Sequence, residues 1–119
     1  MISVTVTTGK NYYRLALSGH AQYCPGNDIV CAACSAITFA LVGWVHNNPN
    51  HVKKLHKLTG YGELRPGGGS GCIEATGDRQ LRSAFMTAVI GLCQVSLSYP
   101  DNVRVHINGV LFTDKEGEQ

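Results

Sequence analysis

Residues 2–18, ISVTVTTGKNYYRLALS, decide the fold of this 119-residue chain. Apolar side chains at Ile2, Val4 and Val6 alternate with serine and threonine, which is the period of a strand with one buried face. The sequence TGKN then supplies a turn, and Tyr12–Ser18 is predicted to be the returning strand. The chain therefore opens with a β-hairpin, and the buried face of this hairpin needs a covering layer.

Two helices are predicted to form that layer. Asp28 can cap a helix that runs to about Asn47, because it directly precedes a periodic apolar stretch. A second helix is predicted over Arg79–Ser98, with Thr76 or Asp78 as the residue that opens it. The uncharged stretch after Asp28 reaches transmembrane length, but its serine, threonine, histidine and asparagine residues favour a buried helix of a soluble domain.

Three further strands complete the predicted set. They are expected around Gly60–Leu64, over Cys72–Ala75 and over Asn102–Val110. The resulting order ββαββαβ predicts an α+β fold, in which a small antiparallel or mixed sheet carries two helices on it. The length suits one core, so residues 1–112 are expected to form a single domain and residues 113–119 a disordered tail.

The charge and the cysteine content exclude several classes of protein. Ten Lys and Arg against eight Asp and Glu leave a net charge of +2, which is too small to predict a nucleic-acid or membrane partner. Charged residues make up only 15% of the chain, against roughly 25% in an ordinary domain, which indicates surface covered by a partner or a second subunit. The start does not have the pattern of a signal peptide, and the five cysteines are irregularly spaced. We therefore expect a cytoplasmic protein with reduced thiols.

Residues 18–35, SGHAQYCPGNDIVCAACS, contain the candidate chemistry. If Asp28 caps the helix, Cys31 occupies its third position, where the positive end of the helix favours a thiolate. His20 lies just past the second strand, and a glycine-containing loop separates it from the helix. A histidine and a cysteine placed in this way suit nucleophilic catalysis. The N–H groups of the helix start can also receive the oxyanion of a tetrahedral intermediate.

The pattern G-H-A, then a short loop and G-x-D-I-V-C-A-A-x-S-A, at residues 19–21 and 26–36, resembles the ribosomal-processing cysteine proteases called Prp. The resemblance implies that Cys31 is the nucleophile and His20 the general acid and base, with no metal or cofactor. It also implies a homodimer that removes an N-terminal extension from a large-subunit ribosomal protein. A precursor from a phage or other mobile element is the alternative substrate. Neither a nucleic acid nor a membrane is expected as a direct partner.

Five residues near this pair are candidates for supporting or substrate-binding roles, namely Gly19, Gly26, Asp28, Ala32 and Ser35. Asp28 either caps the helix or orients His20, and the local spacing favours the cap. Ser35 follows Cys31 by one turn on the same helix face, where it can line the site or bond back to a helix carbonyl. Gly19 either turns His20 into the cleft or only ends the strand. The loop from Gly19 to Gly26 is expected to order over a bound peptide.

Three alternatives use the same residues. Cys31 and Cys34 form a C-x-x-C at a helix start, as in thioredoxin-like redox proteins, although a long loop precedes it instead of a buried parallel strand. His20, Cys24 and these two cysteines could bind a structural zinc ion, although their spacing matches no common zinc module. A non-catalytic module that holds a peptide or a ribosomal protein is the third alternative. For Cys34 itself, packing against the second helix is the favoured interpretation.

Overall fold

The computed structural model describes residues 1–19, 28–60 and 70–113. Its strands are β1 (Ile2–Gly9), β2 (Tyr12–Gly19), β3 (Val52–Thr59), β4 (Ser70–Gly77), β5 (Val103–Ile107) and β6 (Val110–Leu111). Its long helices are α1 (Ile29–Asn47) and α2 (Arg79–Ser98), and a single 3-10 turn, Pro49–His51, precedes β3. The predicted hairpin and both predicted helices are confirmed.

The six strands form one mixed sheet in the order β3-β4-β2-β1-β5-β6. β1 pairs with β5 in parallel, and all other neighbours are antiparallel. The predicted α+β fold is therefore confirmed. We call the end of the sheet where Ile2 lies opposite Gly19 the entry end, and the end where Gly9 lies opposite Tyr12 the hairpin end.

Both helices cover the same face of this sheet. Val4 and Val6 of β1 are fully buried, whereas the odd-numbered residues Ser3 and Thr5 are exposed on the opposite face, as their alternation predicts. The core also includes apolar side chains from β2, β4, β5, α1 and α2. The rings of Tyr13 and Phe85 meet there with their centroids 5.4 Å apart.

The two helices run in opposite directions between the two ends of the sheet. α1 leads through the 3-10 turn into β3, whose first residue, Val52, pairs with Gly77 at the hairpin end. The 19 residues of α1 rise about 28 Å, which is close to the length of about 27 Å expected for an eight-residue strand. The first turn of α1 therefore lies at the entry end, and α2 begins at the hairpin end.

The third strand of the structure lies earlier in the chain than the predicted one. β3 spans Val52–Thr59 rather than Gly60–Leu64, and Gly60 has a φ of +78°. Residues 61–64 lie outside the described residues. The pairing of β3 with β4 contains two register shifts, and a β-bulge of this kind places an extra residue in one strand. The bulges interrupt the alternation of apolar and polar residues, which hides the strand from a search for a period of two.

The last predicted strand, Asn102–Val110, is two strands. Asn108 and Gly109, with φ values of +50° and +83°, form the turn between β5 and β6. The Asn108 side chain holds this turn against β1, because its Oδ1 accepts from the Thr8 N–H at 2.8 Å and its Nδ2 donates to the Thr8 hydroxyl at 2.9 Å. Residues 114–119 of the predicted disordered tail lie outside the described residues.

Both long helices are long and apolar enough to cross a membrane when only length and composition are considered. In this fold each helix instead places a buried side on the sheet, with Val30 and Leu41 of α1 and Phe85 and Leu92 of α2 among the buried residues. This packing supports the interpretation of α1 as a core helix.

Candidate active site

The start of α1 is held by Asp28. Its Oδ1 accepts hydrogen bonds from the N–H groups of Val30 at 2.9 Å and of Cys31 at 3.0 Å. Asp28 itself has extended backbone angles, and its carbonyl accepts from the Ala32 N–H at 3.1 Å. The cap expected from the spacing is confirmed, and it makes Cys31 the third residue of the helix.

This cap engages N–H groups that are expected, from the sequence, to receive the oxyanion. The N–H groups of Val30 and Cys31 already donate to the Asp28 carboxylate, and the N–H of Ala32 donates to the Asp28 carbonyl. A carboxylate at this position also repels a second anion. These three N–H groups are therefore engaged by Asp28 in the protein without a bound peptide.

Cys31 lies at the border of the hydrophobic core. Its exposed fraction is 5%, and it belongs to the same cluster as Val30 and Cys34. Burial of this degree keeps most water away from this residue. Such exclusion of water strengthens the electrostatic interactions around a reacting thiolate.

Cys34, one turn further along α1, is a different kind of thiol. It is 2% exposed, and burial together with the nearby Cys31 sulfur and Asp28 carboxylate raises its pKa to about 12. Cys34 therefore remains protonated at neutral pH and is a poor nucleophile. Its backbone carbonyl accepts a 2.8 Å hydrogen bond from the buried Thr38 hydroxyl, which further fixes this turn of the helix.

Gly19 adopts a backbone conformation that other residues rarely adopt. Its φ is +93°, and a Cβ atom built on it would lie 2.3 Å from the Met1 carbonyl oxygen. A side chain at this position would thus be strained by its φ and would also collide with the neighbouring strand. The glycine directly before His20 is required for the way β2 ends at the entry end.

The remaining predicted site residues are placed as follows. Ala32 is exposed on α1, and Ser35 is half-buried one turn after Cys31, on the same side of the helix. His20 and Gly26 lie outside the described residues, and so does Cys24 of the alternative zinc site. The structure therefore brings Asp28, Cys31 and Cys34 together at the entry end, and the pairing of Cys31 with His20 stays a prediction.

The cysteines of the rival interpretations are also partly placed. Cys34, Cys72 and Cys93 are buried thiols, Cys72 lies in β4, and Cys93 lies in the core on α2. Within residues 1–19, 28–60 and 70–113, no group of three or more histidine, cysteine and acidic side chains is arranged to hold a metal ion.

Sequence reasoning missed two concave surfaces. A polar one of about 1180 Å³ lies at the hairpin end and includes Lys10, His51 and Arg82. An apolar one of about 620 Å³ lies between the helices and includes Ile37 and Trp44. Both are built by residues far apart in the chain, and hydrophobic periodicity predicts only which face of one helix is buried.

An α+β domain with a thiol in the first turn of a capped helix has an arrangement that suits a cysteine hydrolase. The profile of one family in that class, described as cysteine protease Prp, matches residues 1–104. Because the match covers most of the chain, this protein belongs to the Prp family of cysteine proteases, as the motif around Cys31 indicated.

Solved structures share this fold. The Prp ribosomal processing protease of S. aureus, bound to a covalently linked product peptide, has a TM-score of 0.72 and 22% identity, with 90% of this chain and 99% of that chain covered. A Streptococcus mutans protein has a TM-score of 0.64 and 23% identity, with coverage of 90% and 93%. The S. aureus protease with a substrate peptide has a TM-score of 0.62 and 23% identity, with coverage of 90% and 99%. No curated protein matches the chain in sequence.

Proposed function

We propose that this cysteine protease removes a short N-terminal extension from a bacterial large-subunit ribosomal protein. The observation that carries the proposal is the position of Cys31, third in a helix capped by Asp28, within a chain that matches the Prp family over residues 1–104. The S. aureus relative of the same fold is described as a ribosomal processing protease and was solved with peptides. Its substrate class is the source of our proposal for this chain.

Cys31 and His20 carry the proposed reaction. The Cys31 thiolate attacks the scissile carbonyl carbon, and His20 donates a proton to the leaving amine as the peptide bond breaks. The product is a thioester between Cys31 and the acyl part of the substrate. His20 then accepts a proton from water, the water oxygen attacks the thioester carbonyl, and the Cys31 thiolate leaves. No metal or cofactor takes part in these steps.

Several residues around this pair have proposed supporting roles. Asp28 fixes the start of α1 through its bonds to the Val30 and Cys31 N–H groups, and thereby fixes the nucleophile. Gly19 permits the turn at the end of β2. The exposed Ala32 leaves room beside Cys31, and Ser35 lines the same side of the helix. Gly26 gives the connecting loop the freedom to order over a bound peptide.

The direct test is cleavage of a precursor. The protein is incubated with the precursor ribosomal protein of its own host, and the new N-terminus is identified by mass spectrometry. We expect one cut that removes a short extension, abolished in Cys31→Ala and retained in Cys72→Ala, which changes a buried thiol of β4. Cleavage of a mobile-element precursor, such as a capsid protein, in place of the ribosomal one would contradict the proposed substrate. Binding of the precursor without any cut would instead support a non-catalytic module.

We also propose that the protein is a homodimer, as the family resemblance implies, and that it is cytoplasmic, as its reduced thiols suggest. The apolar concave surface between α1 and α2 and the low charged fraction of 15% support a second copy as the occupant, since depletion of charge is typical of the centre of an interface. Sedimentation equilibrium tests this. Thr87→Arg, which places a charge in that surface, is expected to shift a dimer toward monomer. Thr5→Arg, which places the same charge on the face of the sheet opposite the helices, is the matched control, and equal behaviour of the two variants would contradict the proposed face.

A further inference from the structure

The concave surface at the hairpin end gathers positive charge from three separate elements. Lys10 comes from the turn between β1 and β2, Lys53 from the start of β3, and Arg79 and Arg82 from the start of α2. The surface contains one acidic side chain, Asp78. Four cations against one carboxylate leave a local charge of +3, which exceeds the net charge of +2 of the whole chain.

The carboxylate of Asp78 already has partners at the start of α2. Its Oδ1 accepts from the N–H groups of Gln80 at 2.9 Å and Leu81 at 3.3 Å, and its Oδ2 lies 2.7 Å from His51 Nδ1. The hydrogen bond with His51 lowers the pKa of Asp78, so the carboxylate stays ionised and committed to the helix start. In the part of the chain that the structure describes, the side-chain hydrogen bond of Asp78 at this surface is the one with His51.

The two arginines lie where a helix disfavours them. Arg79 is the first residue of α2, Arg82 follows one turn later, and the first turn contains no acidic residue. Cations at the positive end of a helix are destabilising. Residues that destabilise the helix in which they lie are expected mainly at functional positions. Because arginine side chains at i and i+3 share one side of a helix, both can reach a single ligand.

The remaining lining favours a phosphate backbone over a peptide. Arginine binds phosphate with two parallel hydrogen bonds, and Asn11, Asn50 and Thr8 add polar side chains of the kind that contact phosphate and sugar. Among the lining side chains, Tyr13 and Met86 are the large apolar ones, and Tyr13 is buried. The four basic side chains therefore distinguish this surface more than its apolar lining does.

We propose that this surface binds single-stranded RNA through its phosphate backbone. Its volume of about 1180 Å³ is far larger than one phosphate needs, and its cations are spread over elements that lie far apart in sequence. It lies a strand length, about 27 Å, from the entry end, so RNA bound there leaves the approach to Cys31 open. The inference does not depend on the proposed substrate. It also departs from the expectation of no nucleic-acid partner, which followed from the total charge alone.

The test is the salt dependence of binding, measured by fluorescence anisotropy of a short labelled RNA on the full chain. Each phosphate neutralised on a single strand contributes about −0.7 to the slope of log K against log salt. Four contacts therefore predict about a 50-fold loss of affinity between 50 and 200 mM salt. Arg79→Gln with Arg82→Gln should reduce that loss to about 7-fold. Lys57→Gln with Arg104→Gln, which removes the same charge from other exposed positions, should retain the wild-type salt dependence.

Three results would overturn the proposal. The first is the absence of RNA binding at 50 mM salt, and the second is an equal effect of the two double variants. The third is displacement of the labelled RNA by a glutamate-rich peptide at a lower concentration, counted as negative charges, than unlabelled RNA requires. The last result would assign the surface to acidic peptides. Peptide cleavage by the Arg79→Gln and Arg82→Gln double variant is measured in parallel and is expected to equal that of the wild type. A failed RNA experiment thus leaves the protease assignment standing, and a failed cleavage experiment leaves the RNA assignment standing.

Discussion

The first turns of α1 and α2 are built on the same plan. Asp28 and Asp78 each cap their helix, and one carboxylate oxygen of each accepts from the N–H groups of the second and third helical residues. In both helices the third residue points into the core. That residue is Leu81 in α2, with an exposed fraction of 1%, and Cys31 in α1, with 5%.

The two turns differ in the side chain at the third helical position. In α2 the third residue is an apolar anchor, and the charged side chains around it face outward. In α1 a cysteine occupies the anchor position, so a reactive group is buried as a leucine would be and lies beside the positive end of the helix. An aspartate cap therefore forms the helix in both places, and the identity of one side chain decides whether the turn has chemistry.

The largest expected effect is that of Cys31→Ala, which gives α1 an unreactive third residue, as α2 has. Cleavage of a precursor or a peptide is expected to fall by at least about a thousandfold, because removal of a nucleophile leaves only binding and positioning effects. Steady-state kinetics measure the change. Cys93→Ala, at a buried thiol of α2, should keep its kcat, and a fall of less than about tenfold in Cys31→Ala would exclude Cys31 as the nucleophile.

The two thiols of α1 should differ almost as strongly in reactivity. With its pKa raised to about 12, Cys34 is a thiolate in only about one molecule in ten thousand at pH 8. We expect iodoacetamide to label Cys31 first and to leave Cys34 unlabelled up to pH 10, as followed by mass spectrometry of peptides. Labelling of all five cysteines in denaturant is the control. Equal labelling rates for the two thiols in the folded protein would contradict this difference.

Leu81→Ala tests whether the third position of α2 is purely structural. Loss of this fully packed side chain is expected to lower the free energy of unfolding by about 2–5 kcal/mol, as measured by urea denaturation. The kcat of the fraction that remains folded should be unchanged, because Leu81 lies at the opposite end of the sheet from Cys31. A selective loss of kcat at full stability would mean that the start of α2 contributes to the reaction.

Asp28 distinguishes a cap from a catalytic role. Asp28→Ala should lower the free energy of unfolding by about 1 kcal/mol, whereas Asp28→Asn should keep most of it, since asparagine also caps helices. If Asp28 acts only through the helix, the Asn variant also keeps its kcat. A large fall in kcat at unchanged stability in Asp28→Asn would instead support the interpretation that the carboxylate orients His20.

The smallest expected effect concerns pH and Asp78. Its pKa is lowered below the ordinary value of 3.8, first by the hydrogen bond from His51 and then by the backbone N–H groups of α2. A lowered carboxyl pKa contributes stability that is present above the unfolded pKa and is lost as the pH falls through the folded value. Urea midpoints of the wild type and Asp78→Asn should thus converge below about pH 4. A difference between the two urea midpoints that stays constant as the pH falls would exclude ionisation of Asp78 as the source of this stability.

Much of the fold follows from local signals. The alternation at Val4 and Val6 predicts the first strand, and the aspartate caps with the apolar stretches behind them predict both helices to within a residue. Strand β3 could not be predicted in this way, because two bulges interrupt its period. The turn at Asn108 was missed because it divides a stretch that alternates on both sides.

The candidate site also has features that local sequence predicts and features that depend on the folded chain. The place of Cys31 follows from counting three residues from Asp28, and local spacing suffices for this. The pKa of Cys34 depends on burial by the rest of the core, which the sequence of α1 does not contain. The cluster of Lys10, Lys53 and Arg79 forms only when segments about 70 residues apart are brought to one end of the sheet, so the total charge gave no sign of it.

The parallel pairing of β1 with β5 bears on how the protein folds during synthesis. Ile2 of β1 pairs with Val103 of β5. At about 5–20 residues per second, the ribosome needs roughly 5–20 s between the synthesis of these two residues. Until then β1 can form its hairpin with β2, but its other edge stays open to unwanted strand pairing. The serine and threonine residues on one face of β1 keep that face polar during this interval. The sheet, and the protease with it, can be completed only after β5 has been synthesised.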